Sequence, residues 1–308
     1  MIRGCSLQKH ILAILQFLLM ICVVLTENQK SAYARNGLTI TSWNVANLHH
    51  VPGYAYRGEK GTWRTFADLE IIKQVISSQT PDIILLQEAS GELAVRDVLG
   101  EGYRMIGTNE YDRRRDSILL QQRDVYPFVA VRAELDSSII THLSIGLLNG
   151  TDPAPTRDIQ YLSIKVGDRS VGLIHIHTKS SCPNTSKVES INRSCQLNFS
   201  QFRLISQLVI KAETDDTVLV IGDFNRELLN RRLSDWRKLY APWAKTLIAP
   251  LPCVLRKTSE PIDFAIVAKQ SDDAVLTQID AMPKEFPKLA HPERVSDHCP
   301  LTIRINFR

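Results

Sequence analysis

The stretch Thr217–Leu228, TVLVIGDFNREL, constrains this chain more than any other. Val218 to Ile221 is an unbroken β-branched and aliphatic run, the pattern of a strand buried on both faces. The run ends at Gly222, and Asp223 and Asn225 follow two positions apart. Residues i and i+2 at a strand end point the same way, so a carboxylate and an amide can converge on one point. Gly222 permits a turn or the close approach of a ligand. An Asx-type turn uses the same residue types with no function at all. The weight of the motif therefore rests on what the rest of the chain can bring to it.

The N-terminus reads as a leader rather than as fold. Arg3 and Lys9 precede the apolar run Ile11–Leu25, and Ala32-Tyr33-Ala34 has the small-residue pattern of a cleavage site. The run is short for a spanning helix; an uncleaved anchor is the competing reading. Residues 1–34 are accordingly expected to be a signal peptide, and residues 35–308 a single domain, because no linker, repeat or low-complexity run divides them. Removing 34 of 308 residues leaves 274, and takes away three basic side chains and one acidic one, so the formal net charge falls from +4 to +2. Near neutrality does not by itself argue for a polyanionic partner. The product is expected to be a secreted or periplasmic monomer with no membrane span.

Cys5 and Cys22 would leave with the leader, and Cys182, Cys195, Cys253 and Cys299 would remain. Four cysteines in an exported chain suggest disulfides, with three pairings available. Cys182 and Cys195 flank a polar segment that reads as a surface loop, and a bridge closing it is the most economical choice. No close Cys-x-x-Cys pair argues for zinc.

Taken in order, the chain repeats one layout: an apolar strand, then a polar residue at its end. Leu38–Trp43 leads into Asn44, with Asn47, His49 and His50 in a following loop where the histidines are expected to be solvated. Arg64–Ser77 has apolar positions at helical spacing, and Pro81 blocks its continuation. Ile83–Leu86 ends at Gln87-Glu88, and a carboxylate at the end of an apolar strand either emerges into solvent or needs a cation. Arg113, Arg114 and Arg115 read as solvated surface or as phosphate contacts. Ser117–Gln121, Val125–Val131, Ile139–Leu148 and Ile159–Val166 read as strands, with Arg157 just ahead of the last. Val171–Lys179 carries His175 and His177 on one face, a pair that suits either a metal or a core stack. Phe202, Ile205 and Leu208 mark a helix before the central strand, and Leu229, Leu233, Trp236 and Tyr240 mark one after it, its polar face bearing Arg231, Arg232, Arg237 and Lys238. Asp263 lies inside the strand-like Ile262–Val267, and Ser296-Asp297-His298-Cys299 precedes a final strand, Leu301–Phe307.

Strand-end polar groups converging at one sheet edge are how α/β enzymes build sites. Oxygen ligands such as Asn44, Glu88 and Asp297 suit Mg²⁺ or Mn²⁺. Histidines can donate to phosphoryl oxygens, and a carboxylate can orient or deprotonate an attacking water.

The ordered motifs WNVANL, PDIILLQE, HIHTK, GDFN, an Ile-Asp inside a strand, and SDHCPL resemble the endonuclease/exonuclease/phosphatase superfamily, which includes pancreatic-type deoxyribonucleases and abasic-site endonucleases. The resemblance spans essentially the whole chain after the leader. It implies a four-layer α/β sandwich of two packed mixed β-sheets flanked by helices. It further implies Glu88 as the main metal ligand supported by Asn44 and Asp297, with His177 and His298 flanking the scissile phosphate. Asp223 would activate the water with Asn225 beside it, Asp263 would orient His298, and Arg157 and Asn225 would contact phosphate. The family's histidine strand carries an Asn where this chain has His175, a departure that favours His177 as the catalytic residue. Asp112 and Asp116 are weak matches for the acid that partners the first histidine in the pancreatic-type enzymes. The run after the histidine strand also resembles an exported bacterial branch in which two cysteines close a loop, which supports Cys182–Cys195 and leaves Cys253 and Cys299 for a second pair.

The expected activity is that of an exported, divalent-metal-dependent phosphodiesterase, an endonuclease attacking DNA with activated water. A phosphatase or a lipid or inositol-phosphate phosphodiesterase of the same superfamily is the alternative. A non-catalytic, toxin-associated binding module is an alternative of another class, and the intact set of polar residues argues against it.

Overall fold

The computed structural model describes residues 36–54, 63–112, 125–146, 157–182, 192–230, 232–253, 255, 261–280 and 291–308. The expected leader, the Arg113–Arg115 run, Asp116, the strand expected at Ser117–Gln121, and Arg231 lie outside them. The described strands are β1 Gly37–Leu48, β2 Ile83–Ala89, β3 Tyr103–Ile106, β4 Tyr126–Arg132, β5 Ile139–Ile145 and β6 Ile159–Val166. They continue with β7 Arg169–His177, β8 Thr217–Asp223, β9 Thr246–Ile248, β10 Asp263–Lys269, β11 Ala274–Ile279 and β12 Leu301–Phe307. The helices are α1 Phe66–Ser78, α2 Glu92–Leu99, α3 Arg193–Lys211, α4 Ser234–Tyr240 and the short α5 Pro292–Val295.

Two six-stranded mixed sheets result, ordered β11-β12-β1-β2-β4-β3 and β5-β6-β7-β8-β10-β9. Each has one parallel pair near its middle, β1 with β2 and β7 with β8, flanked on both sides by antiparallel neighbours. A parallel pair needs a crossover, and α1 and α3 lie within the two crossovers. The four layers expected from the sequence are therefore present. Leu69, Ile72, Val75 and Ile76 of α1 pack on Ile84 and Leu86, and Phe202, Ile205 and Leu208 of α3 pack on Val218 and Val220. Among the described residues, no helix is long and apolar enough to cross a membrane.

The period of two along the strands decides which side chains enter the space between the sheets. Leu38 and Ile40 of β1, Leu173 of β7, Leu219 and Ile221 of β8, and Ala265 and Val267 of β10 all lie in the inter-sheet core. Counting on by two along β1, β7 and β8 reaches Asn44, His175 and His177, and Asp223, and counting back by two along the antiparallel β10 reaches Asp263. The same alternation that builds the apolar core thus ends in a polar layer.

Three local expectations change. Helix α1 starts at Phe66 rather than Arg64, because Thr65 caps it: the Asp68 N–H donates to Thr65 Oγ1 and Asp68 Oδ2 accepts from the Thr65 N–H. Helix α4 begins only at Ser234, so Leu229 sits outside it and is exposed. His49 is buried rather than solvated; its ring stacks on His50 and Tyr54. Burial, reinforced by the neighbouring His50, holds its pKa down at about 4.

Candidate active site

Registers place the polar residues in two facing rows. His177 is level with Asp223 across β7 and β8, and Asp223 is level with Asp263 across β8 and β10. Opposite them, Asn44 is level with Gln87 across β1 and β2. The gap is bridged where Asn44 Nδ2 donates to Asp223 Oδ2 at 3.0 Å.

Gly222 has φ +141°, and a Cβ there would stand 2.1 Å from the Ile176 carbonyl oxygen. Its role is to admit the β7 backbone rather than a ligand. Beyond it, the Asn225 N–H donates to Asp223 Oδ1 at 2.7 Å, and Asn225 Nδ2 donates to the Thr178 carbonyl at 2.9 Å. The Asx-type turn and the site are one structure, and the turn orients the carboxylate.

Glu88 breaks the alternation. By period, Gln87 enters the inter-sheet space and Glu88 should leave it. Glu88 instead adopts φ 65°, and a β-bulge interrupts both its neighbours at this point. Left-handed backbone at a non-glycine residue costs on the order of 1–3 kcal/mol, and the same conformation recurs at Ala46, Asn47 and Asn225. The result turns Glu88 into the site: its Oε2 accepts from the Asn47 N–H at 3.1 Å and its Oε1 lies 3.7 Å from His177 Nε2.

The two histidines behave oppositely. His298 Nδ1 meets Asp263 Oδ2 at 2.8 Å. Burial alone would lower the His298 pKa, but the carboxylates of Asp263, Asp223 and Asp297 outweigh it and lift it to about 10. His298 is an imidazolium at neutral pH. His177 is driven well below the usual histidine value, first by burial and then by the charges of Arg157, His298, His175 and Lys179. It is neutral, so its 3.6 Å and 3.7 Å separations from Asp223 and Glu88 are not ion pairs, and both exceed hydrogen-bond length. Its Nδ1 is buried and meets no hydrogen-bond partner among the described residues. Asp223 is raised to about 7, mainly by burial and then by repulsion from Asp263, against the lowering effects of His298, the Asn225 N–H and Asn44. A carboxylate poised near neutrality suits proton abstraction from water.

His175 is not equivalent to His177. One ring nitrogen meets Gln87 Nε2 at 2.8 Å and the other meets Gln160 Oε1 at 3.1 Å, which ties the ring into the interior. Arg157, half-buried, stands on the His177 side and contributes to that residue's depressed pKa.

Asp223, Asp263 and His298 present ligand atoms within 4.8 Å of one another. Asp263 Oδ2 already serves His298 Nδ1, and that nitrogen carries a proton, so this trio reads as a proton-handling group. The expected metal residues lie around it: Asn44 on Asp223, Glu88 beside His177, and Asp297, its side chain mostly exposed, with Oδ1 3.7 Å from His298 Nε2. Each histidine Nε2 thus has an acid at 3.7 Å.

Several supporting residues have no role assigned to them by the sequence. Ser296 Oγ donates to the Asn44 carbonyl at 2.7 Å and accepts from the His298 N–H at 3.0 Å, joining β1 to the histidine loop. Trp43 Nε1 donates to the His298 carbonyl at 3.0 Å. Buried Asn198 donates to Thr178 Oγ1, Lys179 O and Phe224 O and accepts from Arg226 and Trp236. Arg226 is fully buried over the Trp236 ring and donates to the Cys182 carbonyl. Ser296 heads the Ser-Asp-His run and could have been read with it; nothing in spacing or composition marks Asn198 or Arg226.

Both cysteine pairs are within disulfide distance: Cys182–Cys195, with Cα atoms 4.7 Å apart, and Cys253–Cys299, with Cα atoms 5.8 Å apart. Cys299 adjoins His298.

A model of the Endonuclease/Exonuclease/phosphatase family matches residues 41–298. No curated protein matches. Among solved structures, an endonuclease/exonuclease/phosphatase family protein from Bacteroides thetaiotaomicron is 14% identical with TM-score 0.57, covering 90% of this chain and 100% of that one. The beta toxin of Staphylococcus aureus is 14% identical with TM-score 0.57, over 88% of this chain and 100% of that one. D. rerio TDP2 complexed with a single-strand DNA product is 16% identical with TM-score 0.51, over 88% of this chain and 99% of that one.

Proposed function

The chain belongs to the endonuclease/exonuclease/phosphatase family, and from that premise we propose that it is an exported, divalent-metal-dependent phosphodiesterase, specifically an endonuclease that hydrolyses DNA. The family is one of phosphoric ester hydrolases, so the proposal concerns the substrate, the metal, the export and the residue roles.

The observation that carries the reading is the row His177–Asp223–Asp263, level across β7, β8 and β10, which His298 joins through the 2.8 Å contact of its Nδ1 with Asp263 Oδ2; burial favours the neutral form of His177 and Asp263 favours the charged form of His298. Asp223, held by Asn225 and Asn44, takes the proton of the attacking water. His298, fixed by Asp263 through Nδ1, donates a hydrogen bond from Nε2 to the charge that develops on the phosphoryl oxygens. His177 contacts the same group from the other side, with Arg157 adding positive charge behind it. Asn225 supports the phosphate by orienting the turn and offering its amide.

The donor set fits a hard divalent cation. Asn44, Glu88 and Asp297 supply oxygens and no thiolate, and Glu88 adopts an unfavourable backbone conformation to face inward. A cation held by Glu88, with Asn44 and Asp297 in support, would neutralise phosphoryl charge in the transition state; Mg²⁺ or Mn²⁺ fits these ligands.

The two disulfides fit an oxidising compartment and so support the export part of the reading; cleavage after residue 34 and release as a monomer complete the proposal. The test offers purified protein plasmid DNA, RNA, a sphingomyelin-type headgroup ester and inositol phosphates, with Mg²⁺ or EDTA, beside His298→Ala. Mg²⁺-dependent nicking of plasmid DNA that His298→Ala abolishes is the expected result. Intact DNA with turnover of another ester would overturn the nuclease assignment alone, whereas turnover in EDTA or unchanged turnover in His298→Ala would overturn the mechanism.

A further inference from the structure

One aromatic side chain stands at the edge of this site without being used by it. Trp63 is 44% exposed, although Trp43 and Trp236 are fully buried. The Arg294 guanidinium lies 4.0 Å from the centre of the Trp63 ring. Phe66, the first residue of α1, is 76% exposed.

Arg64 determines where this pair sits. Its buried guanidinium donates to the carbonyls of Val45, Ala46 and Val295 at 2.5, 2.9 and 3.0 Å. Val45 and Ala46 directly follow Asn44, and Val295 lies between Arg294 and the Ser296-Asp297-His298 run. One side chain therefore ties the segment bearing Trp63 both to the end of β1, just after Asn44, and to the short helix α5 that bears Arg294 and leads into His298. Trp63, partly exposed, directly precedes the residue that bonds the backbone just after Asn44 and just before the Ser296-Asp297-His298 run.

We propose that Trp63, backed by Arg294, is a stacking platform for an unpaired nucleobase flanking the scissile phosphate, and that the preferred substrate is single-stranded or locally opened nucleic acid. The inference rests on the nuclease reading above. A guanidinium covers one ring face and leaves the remaining aromatic surface to a base, and a base of any sequence presents a π-face. The positive charge complements the strand's adjacent phosphate. Stacking also suits the composition: without the leader the chain carries a formal charge of only +2, so it has no large net positive charge to supply strand affinity, and a base contact would add to it. An exposed tryptophan and phenylalanine would also suit a bilayer surface, and the experiment separates the two.

Full-length wild type, Trp63→Ala and Trp63→Phe are assayed on a single-stranded oligodeoxynucleotide and on methyl p-nitrophenyl phosphate, a diester with no base. Binding of the oligonucleotide in EDTA is followed by tryptophan fluorescence, and binding to phosphatidylcholine/phosphatidylglycerol vesicles by sedimentation. For Trp63→Ala, kcat/KM on the oligonucleotide relative to that on the small diester is expected to fall about tenfold, carried by KM, with Trp63→Phe recovering most of it. Fluorescence quenching by the oligonucleotide should be largest in wild type. An unchanged ratio in Trp63→Ala, or a loss confined to vesicle binding, would overturn the proposal. A wild type that cleaves another ester but no nucleic acid would overturn the nuclease reading; the platform falls with it unless the oligonucleotide still quenches wild type and not Trp63→Ala.

Discussion

Asn44 and Asp223 belong to different sheets, and the 3.0 Å hydrogen bond from Asn44 Nδ2 to Asp223 Oδ2 joins them at the polar end of the inter-sheet core. Asn44 also accepts from the Ala46 N–H at 3.0 Å, so one amide shapes the bulged end of β1 and orients the carboxylate assigned as base. Asn44→Ala leaves Asp223 buried with one donor fewer, a change that costs about 1–3 kcal/mol. The expected result is a melting temperature lower by several degrees and a turnover lower by about 10²-fold or more, measured by calorimetry and initial rates. Asn44→Asp should be worse than Asn44→Ala, because it sets two carboxylates against each other.

The His298–Asp263 pair predicts a pH profile. Activity needs Asp223 ionised and His298 protonated, so it should rise as pH passes about 7 and fall as pH passes about 10. Asp263→Asn removes the charge that raises His298, so the alkaline limb should move toward neutral pH while kcat drops by roughly 10²–10⁴-fold. An alkaline limb unmoved in Asp263→Asn would assign that limb to another group.

His175 predicts an acid sensitivity unrelated to catalysis. Burial holds its folded pKa at about 3, below the unfolded value of 6.5, so the folded state binds fewer protons between those limits. Stability should therefore fall as pH drops below about 6.5, by up to ~1.4 kcal/mol per pH unit from this residue. Its ring nitrogens face Gln87 and Gln160, so His175→Gln should retain most activity and flatten the pH dependence of denaturant midpoints. His177→Gln should also flatten the slope, because burial holds His177 neutral in the same way, but unlike His175→Gln it should abolish turnover.

The two disulfides should differ in their effect on activity. Cys253–Cys299 spans 46 positions and ends beside His298; Cys182–Cys195 spans 13. On the chain-entropy account, losing either costs about 2–5 kcal/mol, more for the longer loop. Cys253→Ser with Cys299→Ser should lower kcat below what its loss of stability explains at a temperature where the variant is folded. Cys182→Ser with Cys195→Ser should act mainly on the melting temperature.

Much of the candidate site was legible because the alternation that makes a core strand also aims the polar residues toward its ends. Asp223, His177, Asp263 and Asn44 all continue an inward-facing apolar series. Glu88 was legible only by its motif, since the same alternation points Gln87 inward, and the φ of 65° that reverses it is set by bulges in both neighbouring pairs. His49 was misread because a polar residue in a loop carries no mark of the rings that will close over it. Arg64 and Arg226 are buried by partners distant in the chain, mostly backbone carbonyls for Arg64, and such partners have no sequence identity to recognise. The layers were legible from the order of apolar runs and helical spacings; the start of α4 was not, because Leu229 and Leu233 keep the spacing without keeping the helix.

The most direct test of the central claim is the rate of plasmid DNA nicking by wild type and Asp223→Asn, each with Mg²⁺ and with EDTA. Asp223→Asn keeps the shape of the side chain and removes its basicity, so the account predicts rapid nicking by wild type in Mg²⁺, none in EDTA, and a loss of at least 10³-fold in Asp223→Asn. Nicking by Asp223→Asn at the wild-type rate, or by wild type in EDTA, would contradict it.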